Sequence, residues 1–416
     1  MYNLIKELYP IQRAITGNGV RETHKKIKEI IPINTHEIKS GTKVFDWIVP
    51  KEWNIKNAYV KDSKGNKVID YKLHNLHIVV YSIPFKGKVT LDELKKHITT
   101  LPEFPDWIPY KTSYYNKDWG FCMKHNDFLK LKDEIYEIFI DSELKDGSLT
   151  YSDLIIKGKT DKEILLSTYT CHPSMCNDNL SGPALLTYLA KYLLEKQNNY
   201  YTYRIVFIPE AIGSVVYVNQ NYDNLKKNVI GGYVIGFVGD NGNFTYLQSR
   251  QENQLTDKVT MFCLDNNTKS YRLRDHTVCG MDERNYNFPT VDLNVGALMR
   301  TKFFEFDEYH TSADNLNFIC ENALNESLEM YKKCIDIFEN NKIYQVNSIC
   351  EPRLGIHGLW DIGATKYKKK DIFRFIIYYC DGKHDLIDIC KKIKRNYEDV
   401  KNAINILYEK NIINLK

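Results

Sequence analysis

The feature that most constrains this chain is a series of short apolar strands that each stop at a polar loop and restart as a helix. EILLSTYT (163–170) is a continuous apolar run, and CHPSMCNDNLSG follows it. Leu186, Leu189 and Leu193 then recur at helical spacing behind Pro183, which suits a first helical turn. RIVFI repeats the arrangement and stops at Pro209 and Glu210, and YVIGFVG supplies another strand before Asp240. Strands alternating with helices predict an α/β fold, a mostly parallel sheet flanked by helices, because parallel neighbours need a crossover. In such a sheet the loops beyond the carboxyl ends of the strands converge, so polar residues on three separate loops are expected in one crevice.

The flanking stretches have other patterns. Residues 45–122 hold four of the five tryptophans, many prolines and alternating apolar residues, which reads as a β-rich unit of its own. AYVKDSKGNKVIDY predicts a hairpin with Gly65 at a positive φ, and HIVVYS predicts another strand. LPEFPDWIPYKTSYYNKDWGF is extended, and covers either a site or a neighbouring surface. FLKLKDEIYEIF (128–139) predicts a helix. From about Lys370, DIFRFIIYY, LIDICKKI and VKNAINILYEKNIINL have helical spacing, and their order resembles a winged helix. The expected domains are therefore 1–44 with 123–368, an inserted unit at 45–122, and a winged-helix-like unit at 369–416. Ten basic against seven acidic residues in 370–416 is too balanced for a DNA-binding face, and protein packing or homodimer formation is the default.

Composition removes several function classes. At 416 residues with 43% hydrophobic and 13% aromatic content, the chain can bury several cores and is not disordered. The 57 Lys+Arg against 53 Asp+Glu leave a formal +4, too weak a field to argue for nucleic acid or a membrane surface. The start, MYNLIKELYPIQRAITG, lacks the basic lead and unbroken apolar run of a signal peptide, and no stretch reaches the roughly 18 apolar residues of a membrane span. Ten irregularly spaced cysteines then fit reduced thiols, which points to the cytoplasm. Cys171 and Cys176 read as small packing residues.

The chemistry-bearing residues lie at the strand ends. His172 and Asp178 are followed by Asn179, Ser181 and Gly182 at a helix mouth; Glu210 ends another strand; Tyr309, His310 and Asp314 sit together in YHTSADNL. Imidazole nitrogen and carboxylate oxygen suit zinc. Taken singly, each has a plainer reading, with Asp178 and Asp314 as helix caps and His172 and His310 as buried, hydrogen-bonded histidines.

Together the set resembles the co-catalytic zinc aminopeptidases: a histidine, an aspartate in Asp-x-x-Ser-Gly, an acidic residue before Gly213 and Ser214, and Tyr-His-Thr with a nearby aspartate. Over the whole chain, PKEWNIKNAYVKDSKGNKVIDY, YSIPF, IPYKTSYYNKDWGFC, CHPSMCNDNLSGP, PEAIGS, GMDERNY, YHTSADNL and EPRLG are similar to aminopeptidase-like proteins associated with bacterial polysaccharide biosynthesis. Those carry an inserted β-rich domain and a C-terminal winged helix. The resemblance implies a zinc-exopeptidase-like fold binding one or two zinc ions through His172, Asp178, Glu210 and His310. It implies hydrolysis of an amide in a peptide or aminoacylated sugar, with Glu210 as proton carrier or ligand. Asp282 in GMDERNY matches a loop near the site, with a catalytic or ligand role, and Arg284, Tyr286 and Tyr309 are candidate substrate contacts.

Two departures matter. The adjacent acidic pair of the pattern is here Glu210 followed by Ala211, and the strand YVIGFVG has Gly236 near where a metal-binding aspartate is expected. A second metal then requires Asp282, Glu283 or Asp240 as a substitute, so one zinc ion fits as well as two. The same departures motivate the alternative of an inactive scaffold that binds a glycan or peptide.

Overall fold

The computed structural model describes residues 1–359 and 371–416. They form two compact units, Met1–Asp257 with Ser270–Glu329, and Lys258–Lys269 with Met330–Lys416.

The first unit is built on an eight-stranded sheet in the order Asn34–Lys39, Ser148–Ile156, Thr202–Ile208, Glu163–Tyr169, Val229–Val234, Val295–Met299, Thr245–Leu247 and Arg272–Arg274. The four strands from Thr202–Ile208 to Val295–Met299 run parallel, and antiparallel pairs flank them. Glu163–Tyr169 and Thr202–Ile208 are buried at every position, which is why they read as continuous apolar runs rather than alternating ones. The charged members of these strands, Glu163 and Arg204, pair with each other at 2.5 Å. Helices Ser181–Lys196 and Ile212–Asn228 leave the two strand ends. The first of them starts hard against the sheet: a β-carbon on Gly182 would collide with the Ile235 carbonyl oxygen and lie 2.5 Å from Thr168 Oγ1.

The inserted region forms its own antiparallel sheet, ordered Lys67–Asp70, Glu52–Lys61, Ile135–Lys145 and Phe85–Thr90. The hairpin around Gly65 is present, with φ 83° at that residue. Three expectations change here. The stretch 128–139 is a short helix, His125–Phe128, followed by the strand Ile135–Lys145, in which Tyr136, Ile138 and Ile140 alternate inward with a period of two. Because that strand pairs with Glu52–Lys61, the inserted sheet runs past residue 122 to Lys145. HIVVYS makes only the isolated bridges Ile78↔Phe121 and Val80↔Thr112 rather than a ladder. One continuous core joins both sheets, from Trp53, Val60 and Ile138 to Leu165, Val206 and Val234.

In the second unit, helices Asp371–Tyr379, Leu386–Ile393 and Tyr397–Glu409 accompany a three-stranded sheet of Asp381–Asp385, Ile343–Val346 and Ile413–Leu415, a winged helix. Ile376, Ile387, Ile404 and Leu407 are buried within it, and Asp385 caps the second helix with a reciprocal bond to Asp388. The expected boundary at 368–369 lies outside the described residues, but Ile343–Val346 already belongs to this sheet. Among the described residues no helix is long and apolar enough to cross a membrane.

Candidate functional site

The strand Glu163–Tyr169 ends in a loop that carries Cys171 and His172, both buried. Residues Cys176–Leu180 then make an irregular turn before the next helix, with Asp178 at φ −106° and ψ 88°. Asp314 fixes this turn: its carboxylate accepts the amides of Asn177 (2.6 Å), Asp178 (2.8 Å) and Cys176 (3.2 Å). Burial nevertheless pushes the Asp314 carboxyl up to about 8, against the downward pull of those amides. The plainer reading of Asp314 as a cap describes what its carboxylate does here.

His310 comes from a distant loop and meets Asp178, with Nε2 and Oδ2 3.0 Å apart. The ring nitrogen is not aligned for a hydrogen bond to that oxygen and is buried. Donor atoms of His172, Asp178 and His310 all lie within 4.8 Å of one another, so their lone pairs share a small volume. The protonation states suit a cation. Burial pushes His172 down to about 4, leaving it neutral, and although burial opposes ionisation of Asp178, the two histidines hold its carboxyl below its ordinary value. Tyr169 donates to the other oxygen of Asp178 at 2.7 Å.

Glu210 lies two residues beyond the strand Thr202–Ile208, with its Oε2 3.7 Å from His172 Nε2. Burial first, then the charges of Asp282 and Asp178, raise its carboxyl well above the usual range, and Arg284 pulls the other way. Its amide donates to Cys171 Sγ, which also lies 3.3 Å from His172 Nδ1. Ala211, at φ 62°, donates its amide to Asp282 Oδ1 at 2.9 Å; Ser214 adds a bond to the same oxygen at 2.6 Å. Asp282 therefore braces the turn after Glu210.

The sequence-predicted residues thus divide. His172, Asp178 and His310 converge, Glu210 stands beside them with Cys171 and His172, and Tyr309 stacks on His310 with ring centroids 3.9 Å apart. Asp282 is not in either converging donor group among the described residues. Asp240 is taken up by Asn177, Gly242 and Thr301, and Glu283 by the amides of Gly280 and Met281. Arg284 is exposed. The expected substrate contact of Tyr286 is corrected: it is fully buried and bonded to Ser167 at 2.9 Å, because its short helix turns it toward the sheet. Tyr110 was not singled out individually by the sequence, yet its ring lies 5.3 Å from that of His172 and 5.1 Å from that of His310. Its signal was the extended aromatic stretch around it. Cys171 has the spacing of a packing residue, and no spacing rule marks its place beside Glu210.

Comparison with known proteins bears on the family and the fold. Residues 2–341 match the family model described as "Domain of unknown function (DUF4910)", and residues 342–415 match a winged helix-turn-helix model. A Clostridium acetobutylicum protein named "Putative polysaccharide biosynthesis protein with aminopeptidase-like domain" is 47% identical, over 100% of this chain and 96% of its own length. A crystal structure of a peptidase, so described with the qualifier "putative", from the same organism aligns with a TM-score of 0.94 at 46% identity, covering 100% of this chain and 96% of that one. A zinc aminopeptidase from Bacillus subtilis shares the fold, with a TM-score of 0.60 at 12% identity over 81% of this chain and 93% of the other. With a match over most of its length and a relative at nearly half identity, the chain belongs to the DUF4910 family, aminopeptidase-like in fold and joined here to a winged helix-turn-helix.

Proposed function

We propose that the chain is a zinc-dependent amide hydrolase, an aminopeptidase-like exopeptidase acting on a peptide or an aminoacylated sugar. The convergence of His172, Asp178 and His310 donors within 4.8 Å carries this reading. Two imidazoles and a carboxylate are a donor set that zinc accepts while keeping a position open for chemistry. When bound, zinc supplies a lowered water pKa and a polarised carbonyl. Glu210, held beside His172 and outside the converging trio, takes the proton from the attacking water and returns it to the leaving amine. Tyr309 walls the site against His310.

One ion rather than two is supported by what surrounds Asp178. Its Oδ1 is engaged by Tyr169, and a β-carbon on Gly236 would already meet the Tyr169 ring and hydroxyl at 3.4 Å and Met281 Sδ at 3.3 Å. Tyrosine and methionine thus fill the space beside Gly236.

Metal analysis and anomalous diffraction at the zinc edge, combined with a panel of aminoacyl amides, test the reading. About one zinc per chain is expected at the trio, and His310→Ala should remove both the metal and turnover. Lack of bound metal together with lack of turnover under any metal supplied would sink it. The missing acidic partners at Ala211 and Gly236 favour one second reading, a scaffold that binds glycan or peptide without cleaving it. Tight binding by zinc-loaded protein with no turnover would select that account.

A further inference from the structure

The inserted unit reaches into the histidine pair. Its segment around residues 108–114 is stitched to the His310 loop by a backbone bridge, Pro109↔Thr311. The Tyr110 amide donates to the His310 carbonyl at 2.8 Å, Ser312 donates its amide to the Ile108 carbonyl at 2.8 Å, and Ile108 donates its amide to Ser312 Oγ at 2.9 Å. These bonds hold His310 at φ 56°, the left-handed region that a residue with a β-carbon avoids unless its surroundings impose it.

The side chains repeat the grip. Tyr110, His172 and His310 form a triangle of rings with centroid separations of 5.3, 5.1 and 5.6 Å. Tyr110 meets His310 edge-on at 79°, while Tyr309 stacks on the same imidazole at 14°, so that ring is confined by two aromatics. Behind it, Tyr114 is an electrostatic neighbour of Tyr110. Tyr114 packs edge-on against Tyr81 at 6.0 Å, and Tyr81 stacks on Trp53 at 5.8 Å. Trp53 lies in the strand Glu52–Lys61 of the inserted sheet. Tyr110 and Tyr114 pack against the same core as Trp53 and Tyr81, so aromatic side chains line the way from the inserted sheet to the two histidines.

We propose that Tyr110 is a positioning residue by which the inserted unit presets His172 and His310 for a divalent cation, so that the donor trio is assembled only with the insert in place. This rests on the reading of the trio as a zinc site. The physical ground is that groups which orient metal-binding histidines influence affinity without touching the ion, commonly by ten- to a hundredfold.

Zinc affinity of the full-length chain, measured by competition with a chromophoric chelator, tests the proposal without reference to turnover. Tyr110→Leu should weaken zinc binding about ten- to a hundredfold, while Tyr110→Phe, which keeps the ring, should remain within about threefold of wild type. Thermal unfolding of the metal-free proteins separates this from a general loss of stability. If Tyr110→Leu does not fold, Tyr114→Ala, which removes the brace behind Tyr110, should weaken zinc binding by roughly three- to tenfold. Wild-type zinc binding with unchanged affinity in the folded Leu variant, or in the Ala variant where Leu does not fold, overturns the role of Tyr110 and leaves the zinc site standing. Absence of zinc binding by the wild-type chain overturns both.

Discussion

The carboxylate of Asp314 accepts the backbone amide of Asp178 at 2.8 Å, so one acidic residue frames the chain that carries another across 136 positions of sequence. Two further amides of the same turn end on Asp314. Asp314→Ala should strand three buried donors and lower stability by about 3 kcal/mol or more. Asp314→Asn, which keeps one acceptor oxygen, should lose roughly half as much. Urea unfolding of the metal-free proteins reads both, and equal stability of all three would refute the framing role.

Glu210 lies outside the trio of His172, Asp178 and His310 but within a second donor group with Cys171 and His172, so its roles as base and as ligand call for separation. Glu210→Gln should leave zinc content unchanged while reducing kcat by a factor on the order of 10²–10⁴, the range for loss of a general base. Loss of zinc along with activity would instead make Glu210 a ligand. Metal content and turnover, measured on the same preparation, distinguish the outcomes.

Gly182 begins the helix Ser181–Lys196 with no room for a β-carbon, since the blocking atoms include the Ile235 backbone carbonyl. Gly182→Ala should therefore destabilise by about 1–3 kcal/mol, although alanine is the better helix former. A rise in melting temperature would show that the helix start yields freely.

His24 is buried between Thr170 Oγ1 (3.0 Å) and Ser152 Oγ (2.9 Å), and burial pushes its imidazole down to about 3 from an ordinary 6.5. Between those values the unfolded chain binds a proton that the folded chain refuses, so folding stability falls as pH falls. The slope from this group is about 1.4 kcal/mol per pH unit below 6.5, and it is flat above. Unfolding free energies from pH 4.5 to 7.5 should fall more steeply with acid in wild type than in His24→Gln, the difference in slope being about one proton, roughly 1.4 kcal/mol per pH unit below 6.5.

Local pattern revealed the parts of this molecule that local physics decides. Fully buried parallel strands leave runs such as EILLSTYT, and helix starts leave Gly182 and Pro183, so the alternation and the polar strand ends were readable. The strand Ile135–Lys145 was not: Leu129 and Leu131 extend its apolar spacing into a helix-like pattern, and only pairing with Glu52–Lys61, more than seventy residues earlier, settles its form. At the site, histidines and carboxylates advertise their chemistry by type. Tyr110 and Tyr286 do not, because a tyrosine serves core and crevice alike, and only the direction of its backbone decides which.

Lys39 pairs with Ser148, and the strands they end, Asn34–Lys39 and Ser148–Ile156, lie side by side. Ser40 and Gly147 also bond across that gap. Everything from 40 to 147 thus occupies the position of a hairpin turn. Closing a loop between ends already joined grows more costly only with the logarithm of its length, about 0.6 kcal/mol per doubling. Closure alone therefore leaves the length of the turn free, and what holds its content is the core it shares with the host sheet. Changes within the turn should therefore be tolerated far from residues 108–114 and felt most there, where its backbone is bonded to the loop that carries His310.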